Sequence, residues 1–123
     1  MAAIRYKNTR PEIVVRKMLC ELGLRYRLHR KDLPGNPDIV MPGRKIAIFV
    51  HGCFWHMHTC RYGRVIPATN KKFWQNKREG NVKRDVRAQR KLRRDRWHVL
   101  NVWECWTRDP EILQRRLLAF LSK

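Results

Sequence analysis

Apolar positions along the 123-residue chain follow two periods, one helical and one alternating. In "TRPEIVVRKMLCELG", Val14, Val15, Met18, Leu19 and Leu22 recur at helical spacing and predict an amphipathic helix, with Cys20 off the stripe. Thr9 is its N-cap, and Glu12, three residues on, completes a capping box. Pro11 falls in the first turn, where its missing donor has no helical partner, and Gly23 ends the helix. "RYRLHRK" alternates as a strand, and "DLPGNP" is a loop. "DIVM" and "KIAIFV" are apolar, β-branched runs joined by "PGR", which predicts a hairpin with a buried second strand.

Downstream, "RYGRVIPATN" has no period. "KKFWQNK" predicts a short helix broken near Gly80, and "NVKRDVRAQRKLRRDR" a basic helix with Val82, Val86 and Leu92 inward. "WHVLNVWE" alternates as another buried strand, with Trp97 and Trp103 mostly in the core. "DPEILQRRLLAFLSK" is an amphipathic helix capped by Asp109, with Pro110 in its first turn. A strand returning after a long helix implies a parallel crossover. The fold class expected is α/β: a mixed sheet flanked by helices on both sides, in one domain spanning residues 1–123.

Charge changes the picture from fold to partner. Lys and Arg number 29 against 10 Asp and Glu, a net charge of +19. Such a surface repels itself unless a polyanion is near, and nucleic acid fits best, because each neutralised phosphate releases counterions. The hydrophobic content of 43% excludes a disordered basic tail. No run of about 18 apolar residues is present, so no membrane span is expected. The start "MAAIRYKNTRPE" lacks the apolar stretch of a signal peptide, and a bacterial cytoplasmic, reducing setting at the nucleoid is the expectation. Four cysteines in that setting point to metal or free thiols rather than disulfides.

"HGCFWHMHTC", residues 51–60, concentrates the candidate chemistry. Cys53, His58 and Cys60, with Cys105 just past the last strand, make a closed tetrahedral set for a structural Zn²⁺ that would staple two sheet elements. Spacing leaves His56 open as the alternative to His58. No paired Cys-x-x-Cys is present, so this is not a standard zinc finger. Asp38 opens one strand of the hairpin, and the neighbouring strand ends in Phe49, Val50 and His51. Phosphodiester hydrolysis needs a hard divalent cation, a carboxylate to hold it and a group to manage protons. Asp38 is the candidate carboxylate, and His51 and His56, where zinc takes His58, are free to face it. Glu12 reads first as the capping-box residue and second as a member of the site. Phe54 and Trp55, on the tight loop, either cover the zinc or wedge between bases, and Phe73 and Trp74 could join them. The basic run 83–96 is a solvated helix face, part of which would touch phosphates, while Asn81, Arg84 and Asp85 interrupt it.

Several stretches occur together: "TRPE", "LPGNPDIV", "FVHGCFWHMHTC", "PATNKKFW", then Lys77, Asn81, Arg84 and Asp85, and finally "WHVLNVWEC". In this order they resemble the very short patch repair (Vsr) DNA mismatch endonucleases over nearly the whole chain from Arg5. The resemblance implies a restriction-endonuclease-like fold and strand-specific nicking beside the T of a T:G mismatch, the product of 5-methylcytosine deamination. It implies Asp38 as the Mg²⁺ ligand together with the main-chain carbonyl of Val50. It implies His51 and His56 as active-site histidines, His56 being the partner of the attacking water, and Glu12 near the site. It implies Cys53, His58, Cys60 and Cys105 as structural zinc ligands, and Phe54, Trp55 and Trp74 as aromatics inserted beside the mismatch. The expected partner is double-stranded DNA, bound by a monomer, with other repair proteins as further candidates. Two departures stand out. Only about eight residues precede Thr9, where family members often carry a longer DNA-gripping arm, and Val50 replaces a threonine found in some members. Two other readings compete: a nickase of relaxed specificity tied to a restriction–modification system, and a zinc-containing DNA-binding module without catalysis.

Overall fold

The computed structural model describes residues 9–53, 58, 60 and 69–122. Helix α1 (Arg10–Glu21) is followed by strands β1 (Arg27–Leu28), β2 (Ile39–Met41) and β3 (Ile46–His51). Then come the long helix α2 (Lys71–Arg94), strand β4 (His98–Trp103), the short helix α3 (Glu104–Thr107) and helix α4 (Pro110–Leu121). The strands form one sheet in the order β1-β2-β3-β4, antiparallel except for the β3–β4 pair. This is the expected α/β class with a mixed sheet. The parallel pair follows from the long helical crossover between β3 and β4.

Alternation along β3 assigns its residues to two cores. Ile46 and Ile48 join Val15 and Leu19 of α1, Leu113 and Leu117 of α4, and Val102 of β4. Ala47 and Phe49 face the other way and meet Leu92 of α2. A strand covered on both faces is apolar throughout, which is why "IAIFV" has no polar alternation. The turn between β2 and β3 is a 3-10 turn over Pro42–Arg44, closed by Lys45 in the left-handed region at φ 54°. Gly35, at φ +77°, lets the "LPGNP" loop lie against α2: a Cβ there would come within 2.7 Å of the Ala88 Cβ.

Several sequence expectations change. The helix does not break at Gly80: α2 runs unbroken for 24 residues. A mid-helix glycine costs only about 1 kcal/mol relative to alanine, and the strong helix formers on both sides absorb that. Val86 is not inward but 46% exposed, and Val82 is half-buried. Arg78, Ala88, Gln89 and Leu92 are the buried positions of that helix. The first strand shrinks to two exposed residues, Arg27 and Leu28. The last strand stops at Trp103, because the chain turns into α3 at Glu104. Trp97 and Trp103 are half-buried rather than core.

Candidate functional site: two donor clusters at one edge of the sheet

Strand direction brings the site together. β1 and β3 both run antiparallel to β2, so the ends of β1 and β3 and the entry to β2 share one edge. The parallel strand β4 ends at that edge too, with Trp103 paired to His51. Ligands favour the carboxyl ends of parallel strands in open α/β sheets, where the backbone leaves the ladder.

Asp38 lies at the entry to β2, and its Oδ2 accepts the Val50 N–H at 2.7 Å. The carboxylate therefore rests on the backbone at the end of β3. Burial pushes its carboxyl up to about 6. The Val50 N–H and the Arg16 guanidinium oppose that rise, and the nearby Asp85 carboxylate adds to it. Glu12, 1% exposed, comes from the first turn of α1. Thr9 accepts its backbone N–H at 3.4 Å, the cap expected from "TRPE". Its carboxylate, however, turns inward, paired with Arg16 one helical turn on and bonded by His29 Nε2 at 3.0 and 3.1 Å. Ligand atoms of Glu12, His29 and Asp38 all lie within 4.8 Å of one another.

His29 and Arg16 are absent from the sequence-based site. His29 follows the end of β1 in the left-handed region at φ 50°, and its N–H donates to the Asp38 carbonyl at 3.1 Å. A non-glycine residue at positive φ is uncommon and marks a position held for a reason. Nothing in "RYRLHRK" signals that. Arg16 had one legible cue, its i,i+4 spacing from Glu12.

His51 closes β3 on the sheet face that looks at α2, and is 3% exposed. Its Nε2 is 2.6 Å from Asn101 Oδ1, and its Nδ1 is 3.9 Å from Asp85 Oδ2. The ring is parallel to Phe49, with centroids 6.0 Å apart, and tilted against Trp103 at 4.8 Å. Trp103 also stacks on His58 at 4.1 Å. This ring thus joins the two histidine environments.

The second cluster combines Cys53, His58, Cys60 and Cys105, whose ligand atoms also lie within 4.8 Å of one another. The Cys105 Sγ to His58 Nδ1 distance is 3.6 Å. Zinc–sulfur and zinc–nitrogen bonds of about 2.3 and 2.0 Å in a tetrahedron require edges of roughly 3.5 Å, so this donor set fits that cation. The His58 N–H donates to the Cys53 carbonyl at 3.0 Å, and the Cys105 N–H to Cys53 Sγ at 3.4 Å. Such N–H···S contacts favour thiolate. Without a cation, burial pushes the Cys53 thiol up to about 12 and raises that of Cys105. The cluster can thus hold a metal only by losing protons.

The family model for the DNA mismatch endonuclease Vsr matches residues 1–62. The type II nicking enzyme V.XorIIP of Xanthomonas oryzae pv. oryzae is 50% identical over 122 residues, covering 99% of this chain and 89% of that protein. The type II nicking enzyme V.NmeAIP of Neisseria meningitidis serogroup A is 41% identical over 117 residues, covering 95% and 83%. The DNA mismatch endonuclease Vsr of Escherichia coli is 42% identical over 119 residues, covering 97% and 76%. The chain belongs to the Vsr family. This is a family of DNA endonucleases with a restriction-endonuclease-like fold, and the four-stranded mixed sheet accords with it.

Of the residues the sequence singled out for Vsr-type chemistry, Asp38, Val50, Glu12 and His51 meet at the sheet edge. Cys53, His58, Cys60 and Cys105 meet beside it. His56, Phe54 and Trp55 lie outside the described residues. Trp74 is half-buried near the start of α2, edge-on to Phe73 at 5.0 Å, and Phe73 is 58% exposed. Among the described residues no helix is long and apolar enough to cross a membrane.

Proposed function

We propose that the chain is a magnesium-dependent endonuclease that nicks double-stranded DNA beside the T of a T:G mismatch, initiating very short patch repair. The observation that carries this reading is the Asp38 carboxylate turned onto the Val50 backbone, with His51 next in the chain. Asp38 and the Val50 carbonyl would hold Mg²⁺, and the oxygen character of the pair suits a hard cation. Bound there, the ion would polarise the scissile phosphate and supply an activated water.

The chain's own residues do the remaining work. Asp38 is costly to ionise without a cation, because it is buried. Arg16 and the Val50 N–H favour its anionic form. Glu12, fixed by His29 and Arg16, borders the same space. His51 and His56 move protons, His56 at the attacking water. The Lys and Arg residues of α2 bind the phosphate backbone without reading sequence. Phe54, Trp55 and Trp74 insert beside the mismatch, where unstacking is cheapest. Cys53, His58, Cys60 and Cys105 hold a structural Zn²⁺ that joins the loop after β3 to α3. Residues 1–123 act as one unit and as a monomer, in the bacterial cytoplasm at the nucleoid.

The test is a nicking assay on paired T:G and T:A duplexes, with and without Mg²⁺. Nicking confined to T:G with Mg²⁺, and abolished in Asp38→Ala, is expected. A second reading, a nickase of relaxed specificity linked to a restriction–modification system, is favoured by the names of the Xanthomonas and Neisseria relatives. Equal nicking of both duplexes would select it. Nicking unchanged by Asp38→Ala would sink both.

A further inference from the structure

A pair of amides sits between α2 and β4. Gln89 is 7% exposed. Its Nε2 donates to Asn101 Oδ1 at 2.6 Å, and Asn101 Nδ2 donates back to Gln89 Oε1 at 3.0 Å. The same face of the sheet is otherwise apolar, filled by Ala47, Phe49, Leu92 and Val99. Burying two amides in such surroundings costs free energy unless their polar atoms are satisfied, and leucine would fill the space without that demand. The remaining capacity of Asn101 Oδ1 is directed at His51 Nε2, 2.6 Å away.

We propose that the Gln89–Asn101 amide pair is a positioning device that keeps the proton of the neutral His51 ring on Nε2 and leaves Nδ1 as its lone-pair nitrogen. It rests on the reading of His51 as a proton-transfer residue. An amide oxygen only accepts, so the ring nitrogen facing it donates. Asn101 does not turn its amide alone, because that would set its oxygen against Gln89 Oε1 and its NH₂ against Gln89 Nε2. The ring does not exchange its nitrogens either, held as it is by Phe49 on one side and Trp103 on the other. Nδ1 faces Asp85, 3.9 Å away. Asp85 and Gln89 are one turn apart on α2, so a single helix addresses the ring from both of its nitrogens. Fixing the tautomer of a reacting histidine through the bond made by its other nitrogen is a general requirement of imidazole chemistry.

The experiment is long-range proton–nitrogen NMR on the full chain with ¹⁵N-labelled histidine, alongside T:G nicking and thermal unfolding. Wild type is expected to show the Nε2–H pattern at His51. Asn101→Asp keeps an acceptor oxygen in place and should retain that pattern. Asn101→Leu removes the acceptor, and should mix the tautomers and slow nicking by roughly 10–100-fold, the usual effect of losing a partner that orients a site group. A role in packing alone predicts the reverse order, with leucine tolerated and a buried carboxylate harmful. Gln89→Leu, which frees the Asn101 amide to turn, gives a second reading if Asn101→Leu fails to fold, and should also mix the tautomers. Nδ1–H in wild type, or unmixed tautomers in whichever leucine variants fold, would overturn the proposal. An Nε2–H ring in a protein that nicks no duplex would uphold the pair and remove the nuclease reading.

Discussion

The two donor clusters at the sheet edge have the same dimensions and opposite chemistry. Each gathers its ligand atoms within 4.8 Å. One is sulfur-rich, with Cys53, His58 and Cys60 close together in the chain, and the cation it fits would hold local structure. The other is made of oxygen donors and an imidazole drawn from α1, the end of β1 and the entry to β2. Burial raises the pKa in both, for the Cys53 thiol and for the Asp38 carboxyl. In the first cluster nothing but neighbouring N–H groups favours the anion. In the second, Arg16 already stands beside it. The difference teaches that the sulfur cluster depends on its metal for folding, whereas the carboxylate cluster is preorganised by protein charges and uses its metal for chemistry.

The contrast breaks most visibly at Cys105. Cys105→Ala should release the metal and destabilise the fold by on the order of 5 kcal/mol or more, since metal binding in structural zinc sites is worth about 10–16 kcal/mol. Metal analysis and denaturant unfolding measure it, and a metal-free protein of full stability would remove the staple. Asp38→Ala should instead leave the fold intact and cut nicking on the order of 10³-fold, equivalent to about 4 kcal/mol of transition-state stabilisation.

Acidity sharpens the same comparison. The Asp38 carboxyl is raised from 3.8 to about 6 on folding. Its contribution to stability is therefore fully present below about pH 4 and lost as pH rises through about 6. In magnesium-free buffer, Asp38→Asn should stabilise the protein at pH 8 by about 3 kcal/mol, since each tenfold change in acidity is worth roughly 1.4 kcal/mol. Unfolding curves at pH 4 and pH 8 test this, and a variant no more stable than wild type at pH 8 would contradict it. His29→Ala leaves Glu12 with Arg16 alone and should cost about 2 kcal/mol, the worth of a hydrogen bond to a charged group. A similar loss in Arg16→Ala and none in His29→Ala would assign the task to the arginine. The smallest effect belongs to Val86→Ala, at most about 0.5 kcal/mol for an exposed side chain, against 2–5 kcal/mol, roughly, for Leu92→Ala on the buried face of the same helix.

Val86 also shows where the sequence misleads. Val82, Val86 and Leu92 read as one apolar stripe, yet the buried face of α2 carries Arg78 and Gln89. On a helix this basic, too few apolar residues remain to fix its rotation, and polar contacts with the sheet decide it. Gly80 misleads in the opposite sense, because a single glycine lacks the energy to end a helix that its neighbours favour.

The sequence by itself determined the elements, the α/β class and the Cys/His cluster. Those signals are local in period or dense in rare ligand types, and thiols and imidazoles seldom gather by chance. Asp38 was legible as well, because the hairpin fixes which residues face the end of β3. Only the tertiary structure joined Glu12 and His29 to Asp38, and Gln89 and Asn101 to His51. Each of these is an ordinary residue on a separate element, and its role exists only once strand direction and sheet register have brought distant side chains to hydrogen-bonding distance.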